Sequence, residues 1–236
     1  MRRLLCACAI ASLAACSPKP ATPPQPAASA PAPAPAPVTN TARAGDYTLD
    51  KAHTSLTFEV SHMGFSNYTA QFKKLDGKLH FDPANPASSS ISVTIDPRSL
   101  DVNAPPAGFV DQLLGPQWLD AAHHPEITYS STNVELTGPN TARVTGDFTL
   151  HGVTKPVILD VKFNGGYDGK PVEPGGRVGF SAHGAFKRSD FGIAYGVPAP
   201  GSNLGVSDTL EVQIESEFNG PPRPGETPAV APGKSQ

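Results

Sequence analysis

Seven histidines, scattered through a chain that is also supplied with aspartate and glutamate, are the first residues to weigh for chemistry. Imidazole with carboxylate can hold zinc or pass a proton, provided the spacing puts both on one face. His123 and His124 are adjacent, so on a strand their side chains point apart. His151 and His183 fall on the polar faces of their strands by parity. None shows a two- or four-residue pairing with a carboxylate on an element expected to present both on one face, so no metal site is assigned. Serine, histidine and aspartate are all present, but no Gly-x-Ser-x-Gly elbow exposes a nucleophile. Arg188, Ser189 and Asp190 sit together in one loop. They either close it through side-chain bonds to the backbone or face the polar end of a ligand. Asp190-Phe191-Gly192 has no Gly-rich loop or catalytic Asp/Asn loop beside it, so it carries no kinase meaning.

Cys16 is the one cysteine with an evident reaction. Arg2 and Arg3 precede an apolar run from Leu4 to Ala15, too short for a permanent membrane span. The run ends in Leu13-Ala14-Ala15-Cys16, which resembles a bacterial lipobox whose thiol receives a diacylglycerol. The expectation is a lipoprotein signal over 1–15, with Cys6 and Cys8 discarded with it. That leaves no disulfide framework and no thiolate cluster. Ser17 in place of aspartate points to outer-membrane sorting, facing the periplasm. Residues 16–45 then form a lipidated tether rich in Pro and Ala, including strict Ala-Pro repeats over Ala30–Pro37. At about 3.1 Å per residue in polyproline II, its stretch from Pro18 to Ala44 reaches roughly 80 Å. Residues 219–236 are proline-rich and expected to be a disordered tail. Losing the two signal arginines takes the formal charge from −3 to −5. That balance offers no basic footprint for nucleic acid.

The remaining residues, 46–218, have the length of one domain and read as strands throughout. Leu56, Phe58, Val60 and His62 alternate with polar neighbours. So do Gly77, Leu79 and Phe81; Ile91, Val93 and Ile95; and Ile127, Tyr129 and Ser131. Gly146–Phe163 forms a hairpin around a turn containing Gly152 and Pro156. Val178–Phe186 and Leu210–Phe218 complete the set. About eight alternating strands predict an all-β sandwich or barrel, and periodicity alone leaves the two open. One helical interruption is expected near Gly108–Leu119, with Phe109, Leu113 and Leu114 capping one end. The inward aromatic and branched residues fit either a solid core or a lined tunnel. Gly146, Ala182 and Gly184 on the same parity leave volume for a tunnel.

Several segments resemble the YceI-like family in order along the domain. They are "YTLDKAHTSLTFEVSHMG" (Tyr47–Gly64), "HPEITYSST" (His124–Thr132), "LHGVTKPV" (Leu150–Val157), "FKRSDFGIAYG" (Phe186–Gly196) and the closing "VSDTLEVQIESEF". The resemblance implies an eight-stranded antiparallel lipocalin-like barrel, periplasmic or secreted, that carries an isoprenoid or other long-chain lipid in a tunnel. Phe58, Val60, Phe148, Leu150, Leu159, Phe163, Phe180 and Phe186 become the expected tunnel lining. Asp50 and His53 match a family motif, with Thr54 at its usual serine. His53 is expected to fix the loop by bonding to Asp50 or backbone, or to touch the ligand's head group together with Arg188 and Asp190. The chain departs from the family at Asp101-Val102 and Val110-Asp111, near the expected barrel mouth.

The resulting expectation is a lipid-binding protein with no catalytic residue and no cofactor beyond its lipid. It meets the membrane through Cys16, and a homodimer is compatible with the sequence. Two rivals are a periplasmic enzyme with a loop site at His53, Arg188 and Asp190, and a solid-core interaction module.

Overall fold

A computed structural model describes residues 38–169 and 175–221. The expected signal peptide, Cys16, the tether up to residue 37 and the tail from residue 222 lie outside the described residues.

Among the described residues eleven strand segments build eight walls. β1 (Gly45–Leu49) and β2 (Ser55–His62) follow one another along one wall, as do β3 (Ser66–Phe72) and β4 (Leu75–Phe81), then β5 (Ser90–Ile95) and β6 (Leu100–Val102). β7 (Ile127–Gly138), β8 (Thr141–Leu150), β9 (Val153–Tyr167), β10 (Arg177–Lys187) and β11 (Val206–Asn219) each make a whole wall. Every wall pairs antiparallel with the next in sequence. β11 returns to the first wall through Phe58↔Val212 and Leu49↔Phe218. The sheet is therefore a closed eight-stranded up-and-down barrel, and closure removes the exposed edges that a sandwich would retain.

The alternation read from sequence points the expected side chains inward. β4 shows it most regularly, with Leu75, Gly77, Leu79 and Phe81 buried and Asp76, Lys78 and His80 exposed. At one end of the barrel Tyr47, Phe81, Phe163, Phe180 and Phe218 pack ring to ring at centroid separations of 5.4–6.2 Å. Near the other end Phe148, Phe186 and Phe191 form a second cluster. That second end also carries the two long connections, residues 103–126 and 188–205.

Three local expectations are corrected. The helix α1 spans only Phe109–Leu114. Gly115 ends it, its N–H donating to Gln112 O, and Pro116 cannot extend it. The β8–β9 turn is just His151-Gly152, with φ of 51° and 74°. Positive φ at both central residues marks the tight turn that matches strand twist. Pro156 therefore lies within β9, opposite Asp147, and His151 sits on the turn rather than on a polar strand face. Gly146 does not leave volume open. A Cβ there would lie 2.7 Å from Tyr129 Oη, because the Tyr129 ring crosses it to donate to Val144 O at 3.0 Å. Burial pushes the Tyr129 hydroxyl up to about 12, so it stays a neutral donor. The space at Gly184 is likewise taken by the Leu159 side chain and the Ile158 carbonyl.

Gly146→Ala is expected to force Tyr129 from its place and to cost about 1–3 kcal/mol of unfolding free energy, read by urea denaturation. A variant as stable as the parent would contradict the close approach.

Candidate ligand-binding cavity

The barrel interior holds a cavity of about 690 Å³. It runs from Pro83, Pro86 and Pro139 in the connections at one end to Phe109, Leu113 and Trp118 at the other. The volume is that of a typical small-molecule site. Its wall is mostly apolar because inward parity on the eight walls is chiefly Val, Ile, Leu, Phe or Ala, with Tyr68, Tyr129, Ser131 and Ser216 among the exceptions.

All eight apolar residues expected to line a tunnel do line this cavity: Phe58, Val60, Phe148, Leu150, Leu159, Phe163, Phe180 and Phe186. Ala182 faces it between Val161 and Ile214, its partners on the flanking strands. Phe109 and Leu113 of α1 reach it as expected, whereas Leu114 is absent from the lining.

The polar residues expected beside them separate into distinct roles. Arg188 lines the cavity at the end holding the 188–205 connection, yet it is only 3 % exposed. Its Nε donates to Ser207 O, Nη2 to Val206 O, and Nη1 to Ile193 O and Tyr195 O, at 2.7–3.0 Å. The guanidinium also lies 5.1 Å from the Trp118 ring centroid, a favourable cation–π placement. Burial pulls its pKa down, partly offset by Asp208, but an arginine so committed remains a cation. Arg188 thus pins the connection by saturating carbonyls. Asp190 points elsewhere, 3.7 Å from Lys155 Nζ. Asp208, which the sequence did not single out, accepts from the Ser189 amide and hydroxyl.

His53 lies far from both. Its Nδ1 is 3.0 Å from Asp50 Oδ2, the Ala52 amide donates to Asp50 Oδ1, and Thr54 Oγ1 donates to Asp50 O. Arg177 bridges Asp50 and Glu217 in the same cluster. Burial pushes the Asp50 carboxyl up, but hydrogen bonds from His53, the Ala52 amide and Asn219 outweigh it and hold the group below its ordinary 3.8. The Asp50 amide meets β11 at Glu217 O, whereas Arg188 meets it at Val206 and Ser207. Ten residues of strand separate the two contacts, roughly 30 Å. His53, Arg188 and Asp190 therefore do not converge on one site.

A family model for the YceI-like domain matches residues 47–218. The chain belongs to the YceI-like family. A UPF0312 protein of Ectopseudomonas mendocina is 39% identical over 179 residues, covering 75% of this chain and 88% of the relative. Among solved structures, Burkholderia cenocepacia BcnA superposes with a TM-score of 0.60 at 25% identity, over 72% of this chain and 98% of its own. A polyisoprenoid binding domain from Saccharophagus degradans, implicated in plant cell wall breakdown, matches at a TM-score of 0.51 and 17% identity. It covers 74% of this chain and 98% of its own, and at that identity it shares the fold. In this YceI-like barrel the "LHGVTKPV" segment joins β8 to β9, and the Arg188 loop lies in the connection between β10 and β11.

Arg188→Met would leave four carbonyls without their donor, and a loss of about 3 kcal/mol is expected in urea unfolding. Arg188→Lys should recover only part of it, because an ammonium cannot reach the same fork of acceptors. At the other end, the lowered Asp50 value means its contribution is complete above the ordinary carboxylate range and fades as pH falls through the folded value. The melting temperature of Asp50→Asn should therefore change less than the parent's between about pH 5 and 2; parallel curves would contradict the assignment.

Proposed function

We propose that this protein binds a long-chain apolar lipid, a polyisoprenoid or a molecule like it, and carries or stores it at the cell envelope. The observation that carries the reading is the continuous apolar cavity along the barrel axis. At the roughly 30 Å³ that a water-sized group occupies in a condensed phase, about 690 Å³ accepts on the order of twenty chain carbons. Burying each methylene contributes about 0.8 kcal/mol. The gross gain of roughly 16 kcal/mol is enough to exceed the several kcal/mol lost on association. Affinity of this kind needs no directional chemistry inside the tunnel. The polyisoprenoid binding named for the Saccharophagus domain agrees with the reading. Binding is favoured over catalysis because the charged side chains at the ends are engaged in bracing loops and do not converge on the cavity.

The Cys16 lipobox resemblance and the Pro/Ala-rich tether support an anchored protein, with the barrel held off the outer membrane on its periplasmic side. Two acyl chains suffice for stable anchoring, where one gives only marginal attachment.

Organic extraction of the purified protein followed by mass spectrometry should recover a long-chain lipid near one per chain. Ala182→Trp fills the tunnel from β10. It should reduce binding of an added long-chain isoprenoid by about tenfold or more while the circular dichroism spectrum is kept, since the indole occupies space the chain needs. No lipid in the extract and no isoprenoid binding by the parent would sink the carrier reading. Separately, Cys16→Ala should move the protein from the membrane fraction to the soluble one; continued membrane fractionation would refute the anchor.

A further inference from the structure

Three groups brought together by two different connections have no role in the tunnel: Asp120 and His124 follow α1, and His151 forms the β8–β9 turn. We propose that Asp120, His124 and His151 form a binding site for a divalent transition-metal ion of the zinc class, which staples the α1 connection to the hairpin turn at one end of the barrel.

The backbone brings the donors together. The His123 and His124 amides both donate to Asp120 O, at 3.0 and 2.9 Å, which folds the segment so that His124 returns beside the Asp120 side chain. Arg98 Nη2 donates to Ala121 O and braces the same turn. Gly152 lets the hairpin approach, since a Cβ there would lie 2.9 Å from His124 Nδ1. The His124 and His151 rings then sit 5.1 Å apart between centroids. One ligand atom each from Asp120, His124 and His151 lies within 4.8 Å of the others.

The protonation of His151 fits a ligand. Its Nδ1 is 3.2 Å from Phe191 O. A carbonyl can only accept, so Nδ1 carries a proton, and in the neutral ring the lone pair is then on Nε2. That Nε2 is buried and has no hydrogen-bond partner among the described residues. Metal-binding histidines are commonly oriented this way, one ring nitrogen donating to a backbone carbonyl and the other meeting the ion. Asp120 is held by His123, whose Nδ1 lies 2.9 and 3.1 Å from its two oxygens. His124 Nε2 is 4.0 Å from Asp120 Oδ2. Bonds of about 2.0–2.2 Å place tetrahedral ligands roughly 3.3 Å apart, so side-chain rotations of about an ångström close the site around an ion.

The second cluster of this kind is already neutralised. Asp50, His53 and Glu217 also converge, but Arg177 reaches both carboxylates there. No lysine or arginine pairs with Asp120 among the described residues; its partners are His123 and His124. Two imidazoles with one carboxylate suit zinc and its first-row neighbours better than the oxygen-seeking calcium or magnesium. Three protein ligands leave a position for water.

The test uses the full chain without a histidine tag, stripped with chelator and titrated with Zn²⁺ against a competing chromophoric chelator. One ion per chain is expected, with thermal stability rising on addition. His124→Gln and His151→Gln should each weaken binding about tenfold or more, while His53→Gln and His183→Gln leave it unchanged. In long-range ¹H–¹⁵N spectra the His151 Nε2 resonance should move on zinc addition. If His151→Gln fails to fold, His124→Gln and the spectrum decide. Absence of stoichiometric binding would overturn the proposal. So would binding indifferent to His124→Gln, or lost equally in His183→Gln.

Discussion

The hydrogen bonding of β11 along both of its edges is the constraint on which the rest depends. β10 occupies one edge in continuous register from Lys187↔Thr209 to Arg177↔Asn219. The other edge is taken first by β2 and then by β1. A strand paired on both sides over this length closes the wall with backbone hydrogen bonds. In a sandwich, two sheets stay together only if their inner side chains interdigitate. A closed ring has no such requirement, so its interior can keep room that protein atoms do not fill. The cavity is a consequence of closure.

Closure fixes the wall but leaves the ends, and there the charged residues work. Arg188 holds the 188–205 connection by its carbonyls, and Asp208 holds Ser189 from the other side. At the far end Arg177, Asp50 and Glu217 tie β10, the β1–β2 junction and β11 together. These groups bond to backbone or to one another, so the polar chemistry lies around the cavity and its lining stays apolar. A buried guanidinium is tolerable here because the carbonyls it faces are themselves awkward to bury without donors. Each satisfies the other.

Parity made most of this legible from the residues. Alternation over Leu56–His62, Val178–Phe186 and Leu210–Phe218 identified the inward set, and the structure places every expected lining residue on the cavity. What parity cannot see is how far a side chain reaches over its neighbouring strand. Gly146 reads as spare volume until the Tyr129 ring from the adjacent strand crosses it, and no local pattern signals that contact. Interrupted walls were also hard to read. β1 and β6 are short, and the breaks at residues 50–54, 73–74 and 96–99 disrupt period two before it can register. His151 eludes parity for a related reason: it follows the last position of β8, and its backbone is already in the left-handed conformation of the turn. The His-Gly pair, with Leu150 and Val153 as the flanking partners, was the available signal for a two-residue turn. The meeting of Asp120 with His151 depends on two connections distant in sequence, and spacing does not encode it.

The departure at Asp101-Val102 can now be placed physically. Val102 pairs with Ala70 and lines the cavity, whereas Asp101 points away, engaged by Lys73 at 2.8 Å and by Gln71 at 2.8 Å. An apolar side chain thus meets the cavity where a more polar one would alter its lining, and the acid braces the outside of the wall. With so few oriented polar groups facing inward, the cavity is defined by its length and cross-section rather than by directional bonds. Two aromatic levels set that cross-section, Phe148 with Phe186 near one end and Phe81 with Phe163 and Phe180 near the other. Substitutions between those levels act on the shape of the cavity; substitutions in the α1 and Arg188 connections act on how one end of the barrel is closed.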